Sequence, residues 1–223
     1  MEDAGFLPRT GIQYHWYNRG YDSFDDFLGA LNSRKRKNLR KERKQVRDAG
    51  YSFEVLSGDD LKAAHWDRFY AFYHDTSDRK WGQAYLTREF FDLLHERVRD
   101  RTVLVAAFRD GDMVAGALNL IGTETLYGRN WGTVDRTPLL HFETCYYQAI
   151  DIAIERGLKT VEAGAQGEHK IQRGYEPVLT HSAHLIVDAG LRNAVARFLD
   201  QERHHIAQDR EFIVAEHSPF KQE

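Results

Sequence analysis

The chain lacks the cysteines and the long apolar runs that mark secreted and membrane proteins. Its 223 residues include one cysteine, Cys145, which excludes an internal disulfide framework and favours a reducing compartment. No apolar run approaches the roughly 18 residues that a membrane-spanning helix needs. Residues 1–9 are acidic and contain no secretory hydrophobic region. These absences predict a cytoplasmic protein without a membrane span.

Several catalytic signatures are absent as well. The chain has neither a glycine-rich phosphate loop of the Walker or Rossmann type nor a Gly-x-Ser-x-Gly nucleophile elbow. ATP hydrolysis, dinucleotide-dependent oxidation and α/β-hydrolase chemistry are therefore disfavoured. It also lacks the Cys-x-x-Cys and His-x-x-x-His pairs of common metal sites, so no metal is expected.

The composition is that of an ordinary globular protein, with 42% hydrophobic and 29% charged residues. A formal net charge of −3 excludes a polycation built as a whole for nucleic acid. No repeat or low-complexity linker divides the chain. We therefore expect a single domain over residues 1–223, with a helical and basic N-terminal segment at about residues 20–50.

Charge of one sign is concentrated in a basic run from Ser33 to Arg47. It contains nine basic residues and one acid, Glu42. Only Leu39 and Val46 are clearly apolar, so a helix here buries little surface. A solvated surface helix and a patch that follows a phosphate backbone both fit this pattern. The candidate basic patch consists of Arg34, Lys35, Arg36, Lys37, Arg40 and Lys41.

The order of predicted elements indicates an α/β (α+β) fold. An extended N-terminal segment and several helices come first, one of them starting at a Ser57 cap, with a polar loop at 74–84. An antiparallel meander follows, turning at Asp110-Gly111. Such an order is typical of a mixed sheet with helices on its faces. The later elements are strands at 102–108, 113–121 and 124–132, a helix at 138–156, strands at 160–163 and 181–187, and a helix at 191–208.

The most informative segment is residues 164–170, which follows a predicted strand. Its glycines allow the backbone to bend sharply and to approach a ligand. Glu168, His169 and Lys170 then supply an acceptor, a titratable imidazole and a cation. In an acyl transfer, Glu168 or His169 could act as the base, and Lys170 could hold a phosphate or an oxyanion. A solvated turn is the alternative interpretation.

The predicted helix at 138–156 carries a second group of candidates. Glu143 lies among apolar and aromatic residues, where burial could raise its pKa. His141 and Cys145 are four residues apart and share one helix face. They could form a nucleophile pair or half of a zinc site, and a core cysteine is the alternative.

Four sequence blocks carry a resemblance to a known family: residues 13–16 (QYHW), 33–43 (SRKRKNLRKER), 141–148 (HFETCYYQ) and 164–170 (GAQGEHK). Together they resemble the FemAB-like peptidoglycan biosynthesis/recognition family of the GNAT acyltransferase superfamily. The likeness extends from about Phe6 to Phe220 and is to the C-terminal part of family members, which are usually longer. It implies a GNAT-like acyl-CoA N-acyltransferase fold, in which a mixed, mostly antiparallel, twisted sheet splays its central strands to admit an acyl donor.

The resemblance also implies a reaction. Fem-type relatives transfer amino acids from aminoacyl-tRNA to peptidoglycan precursors, and their basic segment is similar to residues 36–41 here. We therefore expect transfer of an acyl group from aminoacyl-tRNA or acyl-CoA to a small-molecule or peptide amine, by direct attack and with no tightly bound cofactor. tRNA would bind the basic helix. Residues 130–138 hold one glycine and do not match the loop of acetyl-CoA enzymes, which disfavours that donor.

In this hypothesis Glu168 and His169 handle protons, while Lys170 and Arg173 hold anionic groups. Two other functions stay open: a non-catalytic binding module for a peptide, an amino-sugar or RNA, and a thiol enzyme acting through Cys145. The predicted substrate-binding residues are Glu143, Tyr146, Tyr147, Gln166, Arg173, Tyr175 and Trp131.

Overall fold

The computed structural model describes residues 4–79 and 82–221, with the backbone alone for Glu168. Within that range a seven-stranded sheet has the order β2-β3-β4-β5-β6-β1-β7. All neighbouring strands are antiparallel except β5 and β6, which are parallel. The strands are β1 (Leu7–Tyr17), β2 (Tyr51–Ser57), β3 (Thr102–Arg109), β4 (Asp112–Ile121), β5 (Thr125–Thr133), β6 (Thr160–Glu162) and β7 (Glu176–His184).

Helices cover both faces of this sheet. A π-helical turn, Glu143–Tyr147, joins two α-helical pieces into one continuous helix, and a 3₁₀ helix, Glu168–Arg173, follows β6. Among the described residues, no helix combines the length and the apolar character required to cross a bilayer. The α-helices are α1 (Phe24–Ala30), α2 (Ser33–Asp48), α3 (Ala63–Arg79), α4 (Arg88–Val98), α5 (Leu140–Phe142), α6 (Gln148–Glu155) and α7 (Ala189–His217).

Side chains along the central strands alternate between the two faces of the sheet, and each face packs against a hydrophobic core. Val103 and Val105 of β3 face the side covered by α1, α2 and α6, whereas Leu104 faces the aromatic core of α3 and α4. Gly132 of β5 permits the second packing, because a Cβ atom there would lie 2.6 Å from the Cβ of Phe72. The sheet is therefore buried on both faces over its central strands.

Several predicted boundaries differ from the structure. Ser57 ends β2 and precedes a 3₁₀ helix, Gly58–Asp60, and not the predicted α-helix; its hydroxyl makes no cap hydrogen bond and accepts from Arg156 (3.1 Å). Helix α3 begins at Ala63 and extends into the predicted polar loop as far as Arg79, residues 82–84 are irregular as predicted, and residues 80–81 lie outside the described residues. Strand β7 begins at Glu176 because nine of its residues pair with β1, and this distant pairing satisfies its backbone groups.

The parallel pair at the centre of the sheet opens after three residue pairs. β5 and β6 pair only from Thr125↔Thr160 to Tyr127↔Glu162. Beyond Glu162 the chain stays with β1, because the N–H of Ala163 donates to Tyr14 O (3.0 Å) and the N–H of Tyr14 donates to Gly164 O (3.2 Å). β5 continues to Thr133 paired with β4 only, so the sheet has a gap between β5 and residues 163–164.

Candidate active site

The gap between β5 and the segment after β6 holds a cleft of about 750 Å³. β5 forms one wall with residues 128–131, and residues 163–167, 169 and 170 form the other. Residues 117–119 of β4 and side chains from the helix that starts at α5 complete the lining. A register shift between Leu118 and Asn119 puts a bulge in the β4–β5 ladder at this wall, where Arg129 has no partner in the pairing.

Lys170 is the buried cation of the cleft. Lys170 belongs to the 3₁₀ helix, and its Nζ donates to the carbonyl oxygens of Ala163 (2.5 Å) and Gly164 (3.2 Å). Burial lowers the pKa of Lys170 from 10.5 to about 8. An ammonium has three N–H groups, so one remains for an oxygen atom in the cleft.

His169 contributes an imidazole to the same wall. The residue is exposed overall, but its ring packs against Phe142 at 5.2 Å between centroids and against Tyr146. Its Nε2 lies 3.1 Å from the hydroxyl of Tyr146. Partial desolvation lowers the pKa of His169, and the cations Arg173 and Lys170 lower it further. The neutral imidazole, which can accept a proton, is therefore the main form at neutral pH.

Gly167 makes this arrangement sterically feasible. Its φ of +97° lies in the region that favours glycine, and a Cβ atom would overlap the His169 ring, 2.7 Å from Nδ1. The glycine therefore allows the imidazole to fold back onto the loop that precedes it.

Five of the predicted site residues meet in the cleft: Trp131, Tyr146, Gln166, His169 and Lys170. Their convergence depends on β5, the π-helical turn and the 3₁₀ helix, which are far apart in sequence. The side chain of another candidate, Glu168, lies outside the described part of the chain.

Four predicted pocket residues do not line the cleft. Glu143 is 2% exposed and pairs with Arg43 of α2 (2.8 Å), while Tyr147 donates its hydroxyl to Glu42. Tyr175 is fully buried in the core. Arg173 donates to the carboxylate of Glu42. Three of these corrections share one cause: α2 presents Glu42 and Arg43 inward, and Glu143, Tyr147 and Arg173 bind them. Tyr175 instead donates its hydroxyl to the main-chain oxygen of Tyr146.

The cleft is also lined by residues that the sequence did not predict to bind substrate. Arg129 and Asn130 of β5 line it, and a smaller cavity of about 380 Å³ adjoins them beside α3. The β-bulge at Arg129 has no signal in the sequence, because it arises from the β4–β5 register. His141 and Cys145 line the cleft together, as their shared helix face predicted. No cluster of three metal-binding side chains exists among the described residues.

Most of the predicted basic patch lies on the outer face of α2, while Lys35 and Arg36 are half-buried. Leu39 and Val46 are buried beneath the helix, and Arg34, Lys37 and Lys41 are exposed. Arg40 pairs with Asp25 at 3.0 Å. Burial lowers the pKa of Lys35, and the nearby positive charges of Arg34 and Arg173 lower it further. Since Arg173 belongs to the 3₁₀ helix, Lys35 lies close enough to that helix to interact with its charge. Helix α2 is thus next to the cleft wall.

The fold and the opened parallel pair define the class of protein. The predicted fold class, a mixed and mostly antiparallel sheet with helices on both faces, is confirmed. A family model described as peptidoglycan biosynthesis/recognition matches residues 1–222, so the chain belongs to the FemAB-like family.

Solved structures share this fold at low sequence identity. L-PGS from Bacillus licheniformis matches with a TM-score of 0.59 and 11% identity over 86% of this chain and 67% of that chain. FemX matches with a TM-score of 0.57 and 13% identity over 78% of this chain, and the match spans 61% of FemX. A conserved protein of unknown function from Bacteroides thetaiotaomicron VPI-5482 matches with a TM-score of 0.52 and 15% identity, over 80% of this chain and 63% of that chain. A comparison with curated proteins found no match.

Proposed function

We propose that the chain transfers an acyl or aminoacyl group from an activated donor to an amine within the cleft between β5 and β6. The observation that carries the proposal is the convergence of the Lys170 ammonium and the His169 imidazole at the point where the strands separate. The first can stabilise an oxyanion and the second can accept a proton, which are the two requirements of acyl transfer to nitrogen.

The reaction has no covalent enzyme intermediate in this proposal. The amine nitrogen attacks the donor carbonyl, and the resulting oxyanion accepts a hydrogen bond from the remaining N–H group of Lys170. His169 takes the proton that the nitrogen loses. The bond from the carbonyl carbon to the ribose oxygen of an aminoacyl-tRNA, or to the sulfur of an acyl-CoA, then breaks, and the leaving group receives the proton from His169.

The surroundings of the cleft favour an aminoacyl-tRNA donor over acetyl-CoA. The basic outer face of α2 is suited to a phosphate backbone. In the segment between β5 and α5, the N–H groups of Val134, Asp135 and Thr137 already donate within the protein. Asp135 adds a carboxylate there, so a pyrophosphate would meet occupied donors and a negative charge. An aminoacyl-tRNA is therefore the proposed donor, and a peptidoglycan-precursor amine is the proposed acceptor.

The test is a transfer assay on the full chain with bulk tRNA charged with labelled amino acids, with acyl-CoA as a second donor and a lysine-containing muramyl pentapeptide as acceptor. We expect transfer from tRNA, and a loss of about 100-fold in Lys170→Ala and in His169→Ala. His181→Ala, at an exposed position on β7, is the control. Full activity in either cleft variant would remove its residue from the mechanism. Pentapeptide binding without transfer from any donor would favour a binding module.

A further inference from the structure

The single acid of the basic run faces the protein interior. Glu42 lies on the same face of α2 as Leu39 and Val46, one helical turn from each. Both of its carboxylate oxygens accept from Nη2 of Arg173, each at 2.9 Å. The hydroxyl of Tyr147 donates to Glu42 as well. A carboxylate in the middle of nine cations is therefore held by one specific guanidinium.

Arg173 connects this carboxylate to the cleft wall. Its Nη1 donates to the main-chain oxygen of His169 (2.8 Å), and its guanidinium carbon lies 3.5 Å from the centre of the Phe142 ring. The Phe142 ring also packs on the imidazole of His169. Arg173 is 6% exposed, so it has little freedom to move independently of these partners. One guanidinium thus contacts both α2 and the residue that carries the imidazole.

We propose that Glu42 and Arg173 act as a positioning pair, which holds His169 in the cleft and couples polyanion binding on the outer face of α2 to the position of its imidazole. The proposal rests on the transfer function proposed above. Neither residue lines the cleft, so both act through His169 and neither is catalytic. A displacement of α2 by a bound phosphate backbone would move Glu42, then Arg173, then the His169 carbonyl.

The charges around His169 provide a readout that a merely structural ion pair would not change. The groups that face the imidazole are Arg173 and Lys170 of its own helix, Tyr146 of the π-helical turn and His141 of α5. Arg173 lowers the pKa of His169. The carboxylate of Glu42 pairs with that guanidinium, so it should offset part of the positive charge. Glu42→Gln should therefore lower the pKa of His169 further, whereas Arg173→Met should raise it.

The experiment follows the ring C–H signal of His169 by NMR in the full chain, assigned with His169→Gln, during a pH titration and during addition of uncharged bulk tRNA. We expect opposite pKa displacements in Glu42→Gln and Arg173→Met, and a tRNA-induced shift of the His169 signal in the wild type that is lost in Glu42→Gln. In the transfer assay, kcat should fall about tenfold in Glu42→Gln while KM for charged tRNA changes less than about threefold. The control is Glu202→Gln, which breaks the comparable bidentate pair between Arg9 and Glu202 on the surface.

An unchanged titration and an unchanged tRNA response in folded Glu42→Gln would overturn the positioning role. If circular dichroism shows that Glu42→Gln does not fold, Arg173→Lys is used instead. Lysine keeps the positive charge but lacks the two Nη groups that contact His169 and Glu42 together. This variant should therefore lose the tRNA-induced shift with little change in the pKa of His169. A retained shift in Arg173→Lys would likewise overturn the proposal. The NMR readouts need no transfer activity, so failure of the proposed function is recognised separately.

Discussion

The Nε2 atom of His169 and the hydroxyl oxygen of Tyr146 lie 3.1 Å apart, which joins the 3₁₀ helix to the π-helical turn across the cleft wall. Burial raises the pKa of Tyr146, so its phenol stays protonated. In the proposed reaction the base needs a free ring nitrogen, so the phenol oxygen accepts a hydrogen bond from Nε2–H and Nδ1 takes the substrate proton. Tyr146 consequently sets both the tautomer and the orientation of the proposed base.

Removal of this hydroxyl should slow the reaction without unfolding the protein. Tyr146→Phe loses a single hydrogen bond of about 1 kcal/mol, so kcat should fall by roughly fivefold. The transfer assay measures this. Tyr127→Phe, at an exposed position of β5, is the matched control. Equal rates in Tyr146→Phe and the wild type would show that the contact does not orient His169.

Gly167→Ala should displace the imidazole. The new Cβ would overlap the His169 ring, and the residue would keep a positive φ, so transfer should fall by at least about tenfold. Gly111→Ala separates the steric overlap from the backbone strain. Gly111 also has a positive φ, but no atom lies within 4 Å of its Cβ position. That control should lose about 1 kcal/mol of stability and keep full activity. Comparable activity in both variants would contradict the steric argument.

The stability of the fold should rise with pH in the window set by Lys170. Its pKa is about 8 when folded and 10.5 when unfolded, so between these values the unfolded chain binds more protons. The stabilisation is complete above the unfolded pKa and is lost as pH falls through the folded pKa. Lys170→Met should abolish this rise, which is roughly 3 kcal/mol in the wild type.

Urea unfolding at about pH 7 and about pH 10 measures the effect. Lys41→Met, at an exposed position of α2, should keep the wild-type pH dependence. The expectation fails if the wild type and Lys170→Met gain the same free energy of unfolding over this range.

Charge reversal on the outer face of α2 should weaken polyanion binding and its salt dependence together. Replacing Arg34, Lys37 and Lys41 by Glu removes three cations, so the slope of log affinity for bulk tRNA against log salt should decrease by about 3. Filter binding over a range of salt concentrations measures it. Arg97→Glu with Arg101→Glu, both exposed and remote in sequence, should leave that slope unchanged. A slope insensitive to the α2 changes would exclude this face as the tRNA site.

Local sequence information was sufficient for part of this protein. The spacing of Leu39 and Val46 among cations predicts a helix with a solvated basic face, which α2 confirms. Asp110-Gly111 predicts the β3–β4 turn, where both residues have positive φ. Each of these features depends on backbone preferences and periodicity within a few neighbours. The glycines and polar side chains after β6 likewise predict a ligand site at residues 164–170, and most of these residues line the cleft.

Tertiary structure decided which candidates share the cleft. Glu143 and Arg173 were predicted to face a substrate, yet they bind Arg43 and Glu42, because buried charges require partners that come from a helix about 100 residues away. The opening between β5 and β6 depends on the chain after Glu162 bonding to Tyr14, which no local pattern reveals. The sequence by itself determined the elements and the family, since these depend on short-range spacing; the pairing of distant strands and the neutralisation of buried charge determined the site.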